Sequence, residues 1–273
     1  MVNKPKLWAF GCSFTALNYV KGLSDYHWSK YLSSEYKLHL KNLGLSASSN
    51  DNILFELLQN AYKFKEGDYV IVQLTHSSRL GIPTIFNGKT NFINVHPYLA
   101  HFIRKAQKEK LTSLDMGARV GRVPIDEIDQ MMAYTVNIWA QRYNVNEKYY
   151  LDKLKGIFKL IKDKGIKFFY WDSSLWEEFE TIELWSGYND GHWSPNGNYA
   201  FFKYLDFIFK NNHHSLEPWS YSVGRRTLKD WYKDNIKSKR YKYNYIGYES
   251  LSDKNKKLFE EEMRERKLKK RSL

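Results

Sequence analysis

The sequence predicts an α/β fold with a central parallel sheet, and two observations carry this prediction. Over residues 1–211, short apolar tracts typical of buried strands alternate with tracts whose apolar residues have helical spacing. Such alternation is typical of a parallel sheet with helices on both faces, a three-layer α/β/α sandwich. Apolar residues make up 42% of the chain, enough for a substantial core, and the single cysteine excludes an internal disulfide.

The strand and helix signals follow one another in the order that a parallel sheet requires. Apolar and β-branched residues predict strands at 7–10, 37–43, 69–74 and 166–171. Apolar spacing predicts helices at 25–34, 50–62, 128–143, 147–164 and 194–209. We expect Asn50 or Asp51 to cap the second helix, and Ser194 followed by Pro195 is the usual start of a helix.

Two regions depart from this alternation. Residues 80–125 contain three prolines and several glycines, so we expect an irregular insertion or lid with one helix near 99–110. Residues 212–273 hold 17 of the 43 Lys and Arg residues and 9 of the 30 Asp and Glu residues. We therefore divide the chain into an α/β domain, 1–211, and a basic, tyrosine-rich helical tail, 212–273. The tail is either a solvated extension or a surface for a protein partner or polyanion.

Ser13 is the first candidate catalytic residue. It lies where the strand that begins at Leu7 runs into a tight turn, and we expect its side chain to be exposed there. Gly11 permits a tight turn, and backbone N–H groups at such a turn point towards the place where an oxyanion forms. A serine after a strand is also a common helix N-cap, so this motif alone is weak.

Asp190 and His192 supply an acid and a base near the other end of the domain. In an extended loop, residues two apart project to the same side, so the carboxylate can hold Nδ1–H while Nε2 faces a serine hydroxyl. Together with Ser13 they form a candidate triad for acyl transfer. A surface loop or an isolated metal ligand is the alternative for this pair. The tract Trp193–Gly197 and the helix after it make the motif more specific.

These motifs, in their order along the chain, resemble the SGNH (GDSL-type) hydrolases. Gly11-Cys12-Ser13 is similar to the nucleophile turn of that family, with Cys12 where an acid is usual. Asn42–Ala47 is similar to the second block, with Ala47 at the position of the oxyanion-hole glycine. Thr75–Ser78 replaces the third block, so Ser77 stands at the position of the oxyanion-hole asparagine. Asp190–His192 is a shortened last block.

The resemblance covers residues 7–210 and implies an SGNH/flavodoxin-like sandwich that hydrolyses esters. It implies that Ser13 is the nucleophile, His192 the base and Asp190 its orienting carboxylate. The backbone N–H groups of Ser13 and Ala47, helped by Ser77, would form the oxyanion hole. No metal or organic cofactor is expected. An α/β-hydrolase would carry GxSxG in mid-chain, with its acid and histidine well apart, and this sequence has neither feature.

Substrate contacts are predicted beyond the third strand and beside the histidine. His76 and Arg79 would polarise a carbonyl or hold an anionic group, and a structural hydrogen-bonding role is equally plausible. Trp193 would stack on a sugar face or fill the core. We expect the Cys12 thiol to be buried and turned away from Ser13, and the pair His213-His214 to be a linker rather than a metal site.

Two hypotheses of function follow. The first is an acetylesterase-like serine hydrolase acting on a small ester or an O-acetylated glycan. The second is a structural or virion-associated binding protein on the same scaffold, with weak or no activity, because the third-block asparagine is absent. Nucleic-acid binding is a poorer option, since Lys and Arg alternate with Glu near the end of the tail. The sequence looks most like virus- or phage-encoded members, and it shows no signal peptide or run of about 18 apolar residues. We therefore expect a cytoplasmic or virion-associated protein without a membrane span.

Overall fold

The computed structural model describes residues 4–17, 24–76, 79–86, 89–95, 99–115, 122–130, 146–172, 193 and 195–212, together with Asp253, Lys257 and Glu261. In chain order its elements are β1 (Lys6–Phe10), α1 (Trp28–Glu35), β2 (His39–Asn42), α2 (Asn50–Asn60), β3 (Tyr69–Gln73), β4 (Leu80–Phe86), β5 (Lys89–Val95), α3 (Leu99–Lys108), β6 (Ser113–Asp115), β7 (Arg122–Pro124), α4 (Asn146–Ile161), β8 (Lys167–Trp171) and α5 (Pro195–Lys210). Short 3₁₀ turns precede α1 and follow α2 and α4.

Four strands form a parallel sheet in the order β2-β1-β3-β8. Strands β1, β3 and β8 are almost fully buried, which explains why they appear in the sequence as continuous apolar runs. Strand β2 lies at the edge of this sheet and alternates between exposed and half-buried residues, as its alternating sequence predicts. The central parallel sheet expected from the sequence is therefore confirmed.

Alternate residues of the buried strands pack into two separate cores. On one face, side chains of β1, β3 and β8 contact α1 and α5, where Trp28 and Phe201 pack edge to face at 5.5 Å. On the other face, the intervening side chains contact α2 and α4, with Leu57 and Leu154 fully buried. The expected helices around 25–34 and 147–164 are thus present, and the arrangement is compatible with a three-layer sandwich.

The chain crosses from one face of the sheet to the other around β1. Helix α1, between β1 and β2, lies on one face, whereas α2, between β2 and β3, lies on the other. Strand β1 therefore has β2 on one side and β3 on the other, so the chain moves one way across the sheet from β1 to β2 and the opposite way from β2 to β3. In open parallel sheets, ligands bind in the crevice beyond the carboxyl ends of the strands at such a switch point.

The described part of residues 80–125 is regular, so the expectation of an irregular region is wrong, while its assignment as an insertion or lid stays a prediction. Strands β4 and β5 form an antiparallel hairpin in which Phe86 pairs with Lys89, and β6 and β7 form a second, shorter pair. The hairpin lies against α2, and Phe55 contacts Phe92 at a ring distance of 5.3 Å. Pro83 is compatible with a strand here because the hairpin has two strands and hence only edges. Helix α3 confirms the helix expected near 99–110.

Two details of α2 also differ from the sequence prediction. Ser49, not Asn50 or Asp51, is the N-cap residue, and its Oγ accepts from the Asn52 N–H group at 3.3 Å. Leu58, which the helical spacing places with the buried residues, leaves 47% of its surface exposed. Helix α5 begins at Pro195, as predicted.

Several predictions fall largely outside the described residues. Of the helix expected at 128–143, residues up to 130 are described and are helical. In the tail, Asp253, Lys257 and Glu261 are helical and exposed, and the rest of residues 213–273 lies outside the description. Within the described part of the chain, no helix has both the length and the apolar character needed to cross a membrane.

Candidate functional site

The turn after β1, residues 11–16, carries Ser13 at the carboxyl end of the sheet, and we call it the serine turn. The Cys12 carbonyl accepts hydrogen bonds from the N–H groups of Thr15, at 2.9 Å, and Ala16, at 3.0 Å, which closes the turn. The Leu45 N–H group, from the loop after β2, donates to the Gly11 carbonyl at 3.0 Å. The loop that carries Ser13 is therefore joined to the loop that carries Ala47.

Gln73, the last residue of β3, fixes the turn from the other side. Its Oε1 accepts from the Cys12 N–H group at 3.1 Å and from Thr15 Oγ1 at 2.8 Å, and its Nε2 donates to Cys12 Sγ at 3.0 Å. Gln73 exposes only 2% of its surface. A buried amide with both ends satisfied holds the backbone on either side of Ser13 in one position.

The carbonyl groups of the turn are held by a third set of residues. Phe14 O accepts from His27 Nε2 at 2.9 Å and from Trp28 Nε1 at 3.0 Å. Thr15 O accepts from Asn42 Nδ2 at 2.6 Å, and Asn42 Oδ1 accepts from the Gly44 N–H group at 3.0 Å. Asn42 is the first residue of the block that resembles the SGNH pattern, and here it connects β2 to the serine turn.

Two glycines allow this close packing. A Cβ atom at Gly11 would collide with the side chains of Thr15 and Gln73, and one at Gly44 would lie 2.6 Å from the Ala16 nitrogen. The backbone of Gly11 does not have the positive φ that would require glycine. The sequence prediction that Gly11 permits the turn therefore holds for a different reason, which is lack of space rather than backbone conformation.

The packing also buries Ser13, which exposes 6% of its surface instead of the open hydroxyl that the sequence predicted. The reason is that neighbouring segments surround the turn closely, as the contacts of Gly44 show. Cys12 is buried as expected, at 2% exposed, but it does not turn away from Ser13, since its Sγ lies 3.9 Å from Ser13 Oγ. Gln73 Nε2 engages the Cys12 sulfur, which gives the thiol a role in the polar network of the turn.

Ala47 lies in the loop between β2 and α2 with φ of 61°, in the left-handed region. This conformation suits glycine and costs an alanine about 1 kcal/mol, so it occurs where surrounding contacts enforce it. Ala47 is exposed, whereas the adjacent Ser48 and Ser49 are buried. Within the described residues its N–H group has no hydrogen-bond acceptor. Its role as a donor to an oxyanion stays a prediction.

The loop after β3 is anchored to the start of α2. Asn50 forms a pair of hydrogen bonds with Thr75: its Oδ1 accepts from the Thr75 N–H group at 2.7 Å and its Nδ2 donates to the Thr75 carbonyl at 3.0 Å. The His76 carbonyl accepts from the Arg79 N–H group at 3.1 Å. His76 and Arg79 are both half-buried, and Ser77 lies outside the described residues.

Trp193 has a packing role in the described geometry. Its ring stacks on Trp171 at 5.3 Å and 16°, contacts Phe14 at 5.1 Å, and leaves 6% of the residue exposed. Phe14 follows Ser13 directly, so this aromatic cluster supports the serine turn from the α5 side. The predicted contact of Trp193 with a sugar stays a prediction.

The acid and base of the predicted triad, Asp190 and His192, lie outside the described residues. Their approach to Ser13 therefore stays a prediction, as does the part that Ser77 would take in an oxyanion hole. The described residues contain no group of three or more His, Cys, Asp or Glu side chains that could hold a metal ion.

Sequence reasoning missed the residues that hold the turn. Gln73 has a visible signal, since it is the only polar residue in an otherwise apolar and aromatic strand. His27 precedes α1 and is buried, and burial lowers its pKa from 6.5 to about 4 although the Phe14 carbonyl acts in the opposite direction. His27 is therefore neutral at pH 7. Because Nε2 donates to a carbonyl, Nδ1 is the acceptor for the Ser29 N–H group at 3.2 Å.

A cavity of about 680 Å³ lies apart from the serine turn, between α2, the β4–β5 hairpin and α4. Its walls are mostly apolar, and Lys153 and Asp51 lie at its polar side, 3.8 Å apart between Nζ and Oδ1. Asp51 also accepts from Tyr150 Oη at 2.9 Å and from the Gly81 N–H group at 3.2 Å. These contacts join the hairpin and α4 to the beginning of α2.

Comparison of the chain with protein-family models, with curated proteins and with solved structures gives no match.

Proposed function

We propose that the protein is a serine-dependent ester hydrolase of the SGNH type, acting on a small or glycan-linked acetyl ester. The observation that carries the proposal is the serine turn at the switch point of the parallel sheet, held by Gln73, His27, Trp28 and Asn42. Nucleophilic catalysis depends on a rigid nucleophile, and this turn is fixed from three directions.

The proposed reaction uses five residues. Ser13 Oγ attacks the ester carbonyl while His192 Nε2 takes its proton, and Asp190 holds the imidazole in the tautomer that permits this. The carbonyl oxygen becomes an oxyanion that the N–H groups of Ser13 and Ala47 stabilise, with Ser77 as a third donor. His192 then gives the proton to the leaving alcohol as the ester C–O bond breaks. Water attacks the acyl-serine while His192 Nε2 takes a proton from it, and that proton passes to Ser13 Oγ as the carboxylic acid leaves.

Ala47 supports the proposal independently of the serine turn. The family that the sequence resembles has glycine at this position, and the left-handed φ of 61° is a conformation that glycine adopts without strain. An alanine held in that conformation, whose N–H group has no acceptor among the described residues, fits an oxyanion-hole donor better than it fits an ordinary loop residue.

The test is hydrolysis of p-nitrophenyl acetate by the full chain and by Ser13→Ala. We expect the substitution to lower kcat by about 10⁴-fold or more, because the serine and histidine act as a unit. Ser34→Ala is the matched control, since Ser34 is exposed on α1, and it is expected to keep the rate of the wild type. Equal rates for wild type and Ser13→Ala would remove Ser13 from the reaction.

A binding protein on the same scaffold is the second candidate, and the burial of Ser13 at 6% exposed favours it. In that case the turn would be an inherited structural element and the partner would contact another surface, such as the basic tail. Labelling with a fluorophosphonate probe separates the candidates. An activated serine reacts and Ser13→Ala does not, whereas a binding protein leaves both unlabelled.

A further inference from the structure

Arg79 carries a charged side chain for which the described part of the chain provides no counter-ion. Its Nε and Nη1 atoms are buried, and neither has a hydrogen-bond partner. The backbone N–H group of the same residue is bonded to the His76 carbonyl, so its main-chain donor is satisfied. Buried N–H donors without acceptors are unfavourable, and a guanidinium that buries two of its nitrogens is normally paired with a carboxylate or phosphate.

The position of Arg79 is fixed by contacts on both sides. Asn50 holds Thr75, four residues earlier, through two hydrogen bonds of 2.7 and 3.0 Å. Two residues later, the Gly81 N–H group donates to Asp51 Oδ2 at 3.2 Å. Arg79 thus lies between two residues, Thr75 and Gly81, that the start of α2 holds through hydrogen bonds.

Asp51, the carboxylate attached to this segment, is already engaged. Its Oδ2 accepts from the Gly81 N–H group and from Tyr150 Oη at 2.9 Å, and its Oδ1 lies 3.8 Å from Lys153 Nζ. These interactions direct its charge towards the hairpin and α4. Asp51 is therefore not the counter-ion of Arg79 among the described residues, and an external anion would supply one.

The segment lies at the same edge of the sheet as the serine turn. It begins directly after Gln73, whose side chain contacts Cys12 and Thr15 on either side of Ser13. We propose that Arg79 binds an anionic group of the substrate, so that the substrate class is esters that also carry a carboxylate or phosphate. A guanidinium offers paired, charge-assisted hydrogen bonds to either group. This inference rests on the proposed function of Ser13.

Three acetyl esters test the proposal: 4-acetoxybenzoate and 4-acetoxyphenyl phosphate, which are anionic, and 4-acetoxybenzamide, which is neutral. The readout is the ratio of kcat/KM for each anionic ester to that for the neutral ester. We expect Arg79→Met to lower this ratio by about 10- to 100-fold. The ratio for Arg79→Lys should lie between those of the wild type and Arg79→Met. The anionic ester whose ratio falls further on Arg79→Met carries the preferred group, which is either the carboxylate or the phosphate. Arg104→Met, on the exposed side of α3, is the matched control and is expected to keep the wild-type ratio.

Thermal unfolding gives a second readout that requires no hydrolysis. We expect Arg79→Met to raise Tm by about 2 °C or more without ligand, because it removes two buried donors that have no acceptor. We also expect 4-hydroxybenzoate, but not 4-hydroxybenzamide, to raise Tm of the wild type and not of the variant. If no ester is hydrolysed but this protection is found, the proposed function fails and the anion site stands.

The opposite results would overturn the anion site. A ratio that is the same in wild type and Arg79→Met, or a variant that unfolds at a lower temperature and responds equally to both phenols, would give Arg79 a structural role. Failure of Arg79→Met to fold would count in the same direction, provided that Arg79→Lys folds and shows no preference for the anionic esters.

Discussion

The buried histidine beside the serine turn makes stability depend on pH in a way that can be calculated. His27 Nδ1 accepts from the Ser29 N–H group at the start of α1, and Nε2 donates to Phe14 O. Adding a proton to Nδ1 removes that acceptor and places a positive charge at a helix N-terminus, inside the protein. Burial consequently lowers the pKa of His27 from 6.5 to about 4.

The sign and size of the effect follow from these two values. Between pH 6.5 and 4 the unfolded chain takes up a proton at His27 that the folded chain does not. The contribution of His27 to the free energy of unfolding is therefore complete above pH 6.5 and is lost as the pH falls to 4. The loss amounts to about 3 kcal/mol at pH 4, a substantial part of a typical total of about 5–15 kcal/mol.

The measurement is urea unfolding, followed by tryptophan fluorescence, at several pH values from 7.5 to about 4. His27→Asn keeps an oxygen that can cap α1 but cannot titrate, so its stability should fall by about 3 kcal/mol less than that of the wild type over this range. His39→Asn removes an exposed histidine from β2 and should follow the wild type. If His27→Asn and the wild type lose stability in parallel, the buried neutral histidine is not the cause.

Three further substitutions test other parts of the structure. Gln73→Leu leaves the buried Cys12 N–H group and the Thr15 hydroxyl without their acceptor. The free energy of unfolding measured in urea should therefore fall by about 2–4 kcal/mol, and ester turnover should fall with it. Full turnover by the folded variant would argue against a positioning role. Ala47→Gly relieves the left-handed backbone and should raise the free energy of unfolding by up to about 1 kcal/mol, and a decrease would contradict the strain. Asp68 accepts from the N–H groups of Lys6 and Lys65 and from Trp8 Nε1. Asp68→Asn should therefore lower the free energy of unfolding by about 2–3 kcal/mol in urea. Asp163→Asn, at an exposed position, should lower it little.

The parallel sheet was predictable because buried strands and amphipathic helices have distinct local patterns. The β4–β5 hairpin was missed although a signal was present, since Asn87-Gly88 stands between the paired residues Phe86 and Lys89. Pro83 and the neighbouring glycines outweighed that dipeptide in the sequence interpretation. The cap of α2 was misplaced by one or two residues because the Asn50 side chain is bonded to Thr75, a contact between segments that local propensity does not reveal.

The candidate site was predictable only in part, for a related reason. Ser13 stands out in the sequence because a strand and a glycine precede it, and Ala47 because the block after β2 resembles a known pattern. The groups that fix the turn come from distant positions: Gln73 is 61 residues from Cys12, and Asn42 is 27 residues from Thr15. Their partners depend on which strands are neighbours in the sheet. No local pattern encodes that order.

Because the anchors of the serine turn are spread from residue 27 to residue 73, its geometry cannot exist in the first dozen residues alone. During synthesis, the segment containing Ser13 leaves the ribosome long before β3 can pair with β1. A partly made or truncated chain therefore carries the hydroxyl without the framework that orients it. Reactivity at Ser13 would then report that the domain has been assembled, and a probe directed at this hydroxyl would distinguish finished from unfinished molecules.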